Sequence, residues 1–336
     1  MVITMRANNV LGIIYSNAYD SVLSELTNAR TMGSVPFGGR YRLIDFALSN
    51  LVNCGINKVG IITKSNYQSL MDHIGTGKPW DLSRKRGGMF LLPPFNNSHT
   101  GMYRDRIQAL RGIMRFLEQS KEEYIVLMDT NVVCNFDLND MCRAHTESGA
   151  DITIAYHHGR APRLDDLMTF TFEENQKVAK IALDPKTSNP VDYAMNIILI
   201  SKALLTRLIN NAVSLNQDSF VRDVIQHNLK RLNIYGYEVS GFTSVFDSLQ
   251  SYYDISMSLL DPANCQELFT RERPVYTKVR DDMPAIYGLG STVKNSLVAD
   301  GCSIDGEVEN CILFRGVQIG KGAVVRTASS EVGGQA

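Results

Sequence analysis

A chain of 336 residues with 34 Lys and Arg against 35 Asp and Glu carries a net charge of −1, which gives no electrostatic basis for binding nucleic acid or an anionic membrane surface. At 44% hydrophobic and 21% charged residues it reads as a soluble globular protein, long enough for two domains or one large domain with an appendage. No apolar run approaches the roughly 18–20 residues needed to span a bilayer, and the first ten residues lack the apolar stretch of a secretory signal.

In chain order, Val10–Tyr15 (VLGIIY) reads as a buried strand. Leu43–Cys54 has helical spacing, with Leu43, Ile44, Ala47, Leu48 and Leu51 on one stripe. Lys58–Thr63 is a second strand, and Ile107, Leu110, Met114 and Leu117 mark one further helix. Tyr124–Asp129 is a third strand, Leu138–Glu147 a helix entered through Asp137 as N-cap, and Ala150–Tyr156 another strand. Continuous apolar strands separated by helices predict a doubly wound, mostly parallel α/β sheet covered on both faces. Phe220–Leu229 and Leu249–Leu260 are predicted helices. Beyond residue 260, Pro262, Pro274 and Pro284 punctuate a polar connector. Val293, Val298, Ile304, Val308, Phe314 and Ile319 then recur near six-residue spacing, which predicts about two coils of a parallel β-helix, with an irregular β-meander as the alternative. From Arg326 the sequence RTASSEVGGQA drops the repeat and reads as a truncated or frameshifted end. The cysteines at 54, 134, 142, 265, 302 and 311 form no C-x-x-C pair and read as reduced thiols of a cytoplasmic protein. His157 and His158 fall on opposite faces of a strand, which argues against a shared metal.

Three stretches carry a family resemblance. Phe37-Gly38-Gly39-Arg40 followed by Arg42 sits within VPFGGRYRLIDFALSN (35–50), Asp72-His73-Ile74-Gly75 is followed by Trp80-Asp81-Leu82, and 218–225 reads DSFVRDVI. Together they resemble the bacterial ADP-glucose pyrophosphorylases (glucose-1-phosphate adenylyltransferases) over residues 9–320. The resemblance implies a nucleotidyltransferase-like α/β domain over 1–260, a connector over 261–285 and the start of a left-handed parallel β-helix over 286–336.

The same resemblance exposes the departures. Nucleotidyl transfer needs backbone N–H groups cradling phosphates, cations on developing charge, and carboxylates holding Mg²⁺. Where the family has its glycine-rich G-G-x-G-x-R-L loop, Asn17, Ala18 and Asp20 replace the glycines and Val22 the arginine. Met32 replaces the following lysine. Asn131 and Val245 stand at the two metal-carboxylate positions, with Asp129 and Asp247 each two residues away as substitutes. Asp184 replaces the sugar-phosphate lysine, with Lys186 one register out, and Ala194-Met195-Asn196 replaces an S-M-G turn. Asp105-Arg106-Ile107-Gln108 stands where the family has the nucleotide-contacting G-T-A-D.

Chemistry lost at every such position, with the scaffold blocks kept, resembles the D-type, non-catalytic subunits of the family. The implied chain has no catalytic residues, metal or cofactor of its own. It joins catalytic ADP-glucose pyrophosphorylase subunits, which hold the Mg²⁺, in a heterotetramer of glycogen synthesis. Arg30 and Arg42 match arginines of the family's regulator-binding region and Arg40 adjoins them; arginine forks suit small phosphorylated regulators. Two alternatives stand beside this expectation: an active adenylyltransferase with relocated ligands, and a stand-alone metabolite-sensing oligomer.

Overall fold

The computed structural model describes residues 7–94, 103, 105–184 and 187–330. The first part opens with β1 (Val10–Tyr15), α1 (Ser24–Thr27), β2 (Pro36–Phe37), β3 (Tyr41–Arg42) and α2 (Leu43–Asn53). It continues with β4 (Lys58–Ile62), α3 (Gln68–Ile74), β5 (Gly88–Leu92), α4 (Arg106–Gly112), α5 (Met114–Gln119), β6 (Tyr124–Asp129) and β7 (Val132–Cys134). Then come α6 (Leu138–Ser148), β8 (Ile152–Gly159), β9 (Met168–Phe172), β10 (Val178–Leu183), β11 (Val191–Ser201) and α7 (Lys202–Ser214). It closes with β12 (Ile234–Glu238), β13 (Thr243–Val245), α8 (Leu249–Ser258) and α9 (Pro262–Leu268).

Among the described residues nine strands form one sheet, whose central path runs β10-β9-β11-β6-β1-β4-β5, with β8 between β11 and β12. Side chains alternate across β1: Leu11, Ile13 and Tyr15 pack with α4, α5 and α7, while Val10 and Ile14 pack with α2, α3 and α6. Both faces are therefore covered. Gly12 lets α2 approach, since a Cβ there would lie 2.6 Å from Leu51 Cδ1. The sheet is mixed rather than mostly parallel. β6, β1, β4 and β5 pair in parallel, but β11 runs antiparallel to β6, β8 and β9. An apolar run buried on both sides fits either direction, which is why the expectation failed there.

Two predicted helices differ in detail. The stretch 106–119 breaks at Ile113 into α4 and α5. Residues Phe220–Ile225 form a π-helix, followed by a 3₁₀ turn at Gln226–Asn228. No helix among the described residues is long and apolar enough to cross a membrane.

The C-terminal part holds β14 (Ile286–Tyr287), β15 (Thr292–Lys294), β16 (Leu297–Val298), β17 (Ser303–Ile304), β18 (Glu307–Leu313), β19 (Gln318–Ile319) and β20 (Val324–Ser330). These stack in parallel: Ile286 over Ser303 over Gln318 in one sheet, and Val293 over Val308 over Val325 in another. A meander would pair neighbours antiparallel, so that alternative fails. The expectation that the repeat ends at Arg326 also needs correcting: β20 stays paired with β18 as far as Ser330. The residues after it lie outside those described.

The two parts share a core. Phe37, Phe46 and Phe246 meet edge to face at 5.6 Å centroid spacing, and Leu259, Leu268, Ile312 and Phe314 close around them. Gly38 and Gly39, at φ 60° and 83°, make the left-handed turn that brings Phe37 back beside Tyr41. We expect Phe37→Ala to cost about 3–5 kcal/mol, as large-to-small changes in packed cores do. Urea denaturation checks this, and because the core is shared, the α/β part and the stacked strands should lose stability together.

Candidate functional site

The loop after β1 is closed by its own side chains. Asn17 Oδ1 accepts the Lys64 N–H at 2.7 Å, and its amide donates to Asp20 Oδ2 at 2.6 Å and to the Ser65 carbonyl at 3.1 Å. The other Asp20 oxygen accepts the Met32 N–H at 2.7 Å. A carboxylate thus takes a backbone donor that a phosphate cradle would offer to its ligand. Burial pushes the Asp20 carboxyl up to about 6, against the opposing pull of the Asn17 and Met32 bonds. Tyr19 holds a left-handed conformation, φ 61°, and its hydroxyl accepts from the Asn196 amide at 3.0 Å. Ala18 lies half-buried on the core. Val22 packs against the core and Met32 is wholly buried, so both positions where the resemblance sets a cation are apolar packing sites.

The structure brings Asn131 and Val245 together. β13 pairs antiparallel with β7, and the Phe246 N–H donates to the Asn131 carbonyl at 2.9 Å. Asn131 is buried with Oδ1 unpartnered, and the nearby Val245 offers no ligand. The two substitute acids are committed elsewhere. Asp129 Oδ2 pairs with Arg106 Nη2 at 2.5 Å, with side-chain exposures of 0% and 14%. Asp247 accepts the Arg163 N–H at 2.7 Å and the Ser248 hydroxyl at 3.0 Å. Among the described residues, no three His, Cys, Asp or Glu side chains are grouped to hold a metal ion. Residues that supply one weak amide and one aliphatic side chain do not fit Mg²⁺, which takes hard oxygen ligands.

Arg106 was named in the sequence only as part of the stretch aligned with G-T-A-D, and its pairing with Asp129 went unrecognised. Its guanidinium lies 4.6 Å over the Tyr15 ring and 5.7 Å over Phe220. Burial, the largest single influence, pulls this group down, but the charge and hydrogen bond of Asp129 together with Tyr15 and Tyr19 hold it above its ordinary value. Arg106 lines a cavity of about 300 Å³ with Asn17, Tyr19, Lys64 and Tyr103. Residues 23 apart in sequence, one on a helix and one at a strand end, give no local signal of pairing.

Asp184 ends β10 at φ 49°, exposed, with Oδ1 accepting the Leu167 N–H at 3.2 Å. Lys186 lies outside the described residues. Asn196 fills the turn position where the resemblance has glycine; β11 shifts register there and Asn196 takes φ 53°. The histidine pair divides as expected: His157 Nδ1 meets the Val239 carbonyl at 3.0 Å and His158 Nδ1 meets Asp192 at 2.7 Å.

A second site lies on the seam between the two parts. Arg40 and Arg42 line a cleft of about 210 Å³ with His73, Arg280, Phe314 and Arg315. Arg40 stacks 5.4 Å over the Tyr41 ring, and Arg42 Nη1 donates to the Ser69 carbonyl at 2.7 Å. Arg315 Nη1 donates to the Lys278 carbonyl at 3.2 Å, with Asp300 3.9 Å away. Burial first, then the charges of Arg280 and Arg40, hold the Arg315 guanidinium below its ordinary value. Arg30 is not among the lining residues; it ends the turn after α1, with its N–H on the Thr27 carbonyl at 3.4 Å. Arg280 and Arg315 were missed because they come from the connector and a β-coil, some 240 residues or more from Arg40 along the chain.

Comparison with known proteins agrees with this architecture. Residues 12–246 match the nucleotidyl transferase family model. The chain is 36% identical to the glycogen biosynthesis protein GlgD of Bacillus subtilis over 96% of its own length and 84% of that protein. It is 38% identical to GlgD of Geobacillus stearothermophilus, covering 95% and 83%, and 31% identical to the glucose-1-phosphate adenylyltransferase of Clostridium acetobutylicum, covering 96% and 86%. The chain belongs to the nucleotidyl transferase family, within the group of bacterial glucose-1-phosphate adenylyltransferases and their GlgD-type relatives.

The Arg106–Asp129 pair makes a stability prediction. Arg106→Met or Asp129→Leu alone strands a buried charge and should cost about 3–5 kcal/mol. The double variant removes both charges and should recover most of that loss. Urea midpoints of the four proteins measure the cycle; two additive losses would mean the pair is not the coupled unit described.

Proposed function

We propose that this chain is a regulatory, non-catalytic subunit of glucose-1-phosphate adenylyltransferase, acting in glycogen biosynthesis in the cytoplasm. The reading rests above all on the reaction centre being occupied by internal bonds: Asp20 on the Met32 N–H, and Asp129 on Arg106. Asn17, Ala18, Asp20, Val22, Met32, Asn131, Asp184 and Val245 are on this reading degenerate positions of a lost active site. Removing one preorganised charge-stabilising group costs about 3–4 kcal/mol of barrier, and several are gone at once.

On the same reading residues 1–260 form the nucleotidyltransferase-like domain, 261–285 the connector, and 286–336 the start of a left-handed β-helix. The chain holds no cofactor of its own; Mg²⁺ belongs to catalytic partner subunits in a heterotetramer. Small phosphorylated regulators act through Arg30, Arg40 and Arg42; Arg280 and Arg315 complete the cleft of Arg40 and Arg42, and Arg30 acts from outside it. Four guanidinium groups around one small cavity support an anionic ligand there.

Co-expression with a catalytic homologue tests the assignment. A hetero-oligomer should co-purify, and its apparent substrate affinity or regulator response should differ from that of the catalytic subunit alone by more than dilution. Arg30→Ala and Arg42→Ala should each shift the regulator concentration for half-effect upward by about tenfold, as loss of one charge-assisted contact does. Unchanged titration curves would withdraw the regulatory-site assignment and leave the subunit assignment standing.

A further inference from the structure

Trp80-Asp81-Leu82 is one of the sequence blocks that carry the family resemblance, yet it lines neither the cavity beside Arg106 nor the arginine cleft. Trp80 is the only tryptophan in the chain and is 2% exposed. Its ring packs edge-on against His73 at 6.0 Å centroid spacing, which fixes its orientation. Its Nε1–H is buried and has no hydrogen-bond partner among the described residues. An indole nitrogen can only donate, and leaving a buried donor unpaired is costly. Trp80 lines a cleft of about 240 Å³ with Asn57, Asp81, Arg84 and Tyr276, beside apolar walls from Val52 and Leu82.

The charges of this cleft cancel. Among the described residues that line it, Asp81 and Arg84 are the only charged ones. Arg84 Nε donates to the Asp81 carbonyl at 2.7 Å, and Arg84 Nη2 pairs with the Asp81 carboxylate. The two side chains are 44% and 79% exposed, so the pair is held loosely and opens readily to a ligand's polar groups. The cleft also lies at the C-terminal end of α2, where the Val52 carbonyl accepts the Cys54 and Gly55 N–H groups. The helix dipole puts partial negative charge there, which together with Asp81 disfavours an anion. Arg84 disfavours a cation. A neutral ligand with hydroxyl groups satisfies both, since each hydroxyl donates and accepts.

We propose that this cleft binds one neutral hexosyl unit of a sugar, with a sugar oxygen accepting the Trp80 Nε1–H. Sugar hydroxyls engage Asp81, Arg84 and the Asn57 amide, and Tyr276, 37% exposed, offers its ring to the C–H face of the sugar. The Tyr276 N–H donates to Ser49 Oγ at 2.9 Å, so that ring stands on anchored backbone. The volume falls below the roughly 300–1,000 Å³ of drug-sized sites, so it suits one ring rather than a chain. That the unit is glucosyl, the end of an α-glucan, rests on the reading of the chain as part of glycogen biosynthesis. The cleft itself selects only a neutral polyhydroxylated ring.

The single tryptophan makes the test direct, because the full chain holds no other indole and its emission reports this cleft. Maltose should shift that emission in a saturable way, half-complete on the order of 1 mM, as a small ligand with few anchoring contacts gives. Sodium acetate at the same concentrations should leave it unchanged. Calorimetry should return the same constant for maltose and for maltoheptaose, since only an end unit enters. Trp80→Phe keeps a ring and removes the N–H, and Asn57→Ala removes the amide without touching the buried ring; each should weaken maltose by about three- to tenfold in calorimetry. Acetate bound more tightly than maltose would overturn the neutral ligand. Galactose bound where maltose is not would overturn the glucosyl unit and leave the cleft as a sugar site. No emission change and no heat with either sugar, far above the expected concentration, would overturn the site, with no bearing on the subunit assignment, which co-purification decides.

Discussion

A buried charge needs a partner, and this molecule supplies each partner from within. Asp129 is held by Arg106, Asp20 by the Met32 N–H and the Asn17 amide, and Asp45 by His73 and the Arg42 N–H. The cost of leaving any of them unpaired is several kcal/mol. In an enzyme that moves phosphates, the first two places are where a metal ion and a polyphosphate would provide the compensation. Here a guanidinium and two peptide-level donors provide it instead. Much of the centre is satisfied from within, and Asp129 Oδ1, Arg106 Nη1 and Asn131 Oδ1 are the buried atoms there that stay unpartnered among the described residues. The third pair does different work: it joins the two sequence blocks that the scaffold retains, the one around Arg42 and the one around His73.

The seam between the α/β part and the stacked strands is laced by polar side chains as well as by the aromatic core. Asn135 donates to the Leu268 and Arg273 carbonyls, Asn53 to Pro274, and Ser49 accepts the Tyr276 N–H. Lys278 then reaches Asp72, and Arg315 reaches the Lys278 carbonyl. The arginine cleft opens on this seam and is lined from the hairpin, α3, the segment before β14 and the turn after β18. A ligand changes a partner's behaviour only through contacts that differ between states. A site built from four separate elements offers more such contacts than one built on a single loop.

Much of the fold was legible in the sequence because it is written in local periodicity. β1, β4 and β6 are apolar runs, α2 shows its stripe, and Asp137 caps α6 as expected. The side chains of the loop after β1, where the resemblance has glycines, were equally legible, since they are read one residue at a time. What failed depends on long-range pairing. The direction of β11 is set by its neighbours, and β20 is held by a partner 17 residues back rather than by its own polar sequence. Arg106, Arg280 and Arg315 become site residues only through folding. His73 stood inside a recognised block, but its pairing with Asp45, 28 residues away, belongs to the packing of α2 against α3.

On the proposed reading this chain keeps the fold and has lost the reaction. Pyrophosphate release by the purified chain alone, given ATP, glucose 1-phosphate and Mg²⁺, measures that directly. The structure predicts no release above the uncatalysed background. Turnover of about 1 s⁻¹ or more, the lower end of ordinary enzymes, abolished in a variant of the chain's own site such as Asp129→Asn, would contradict it.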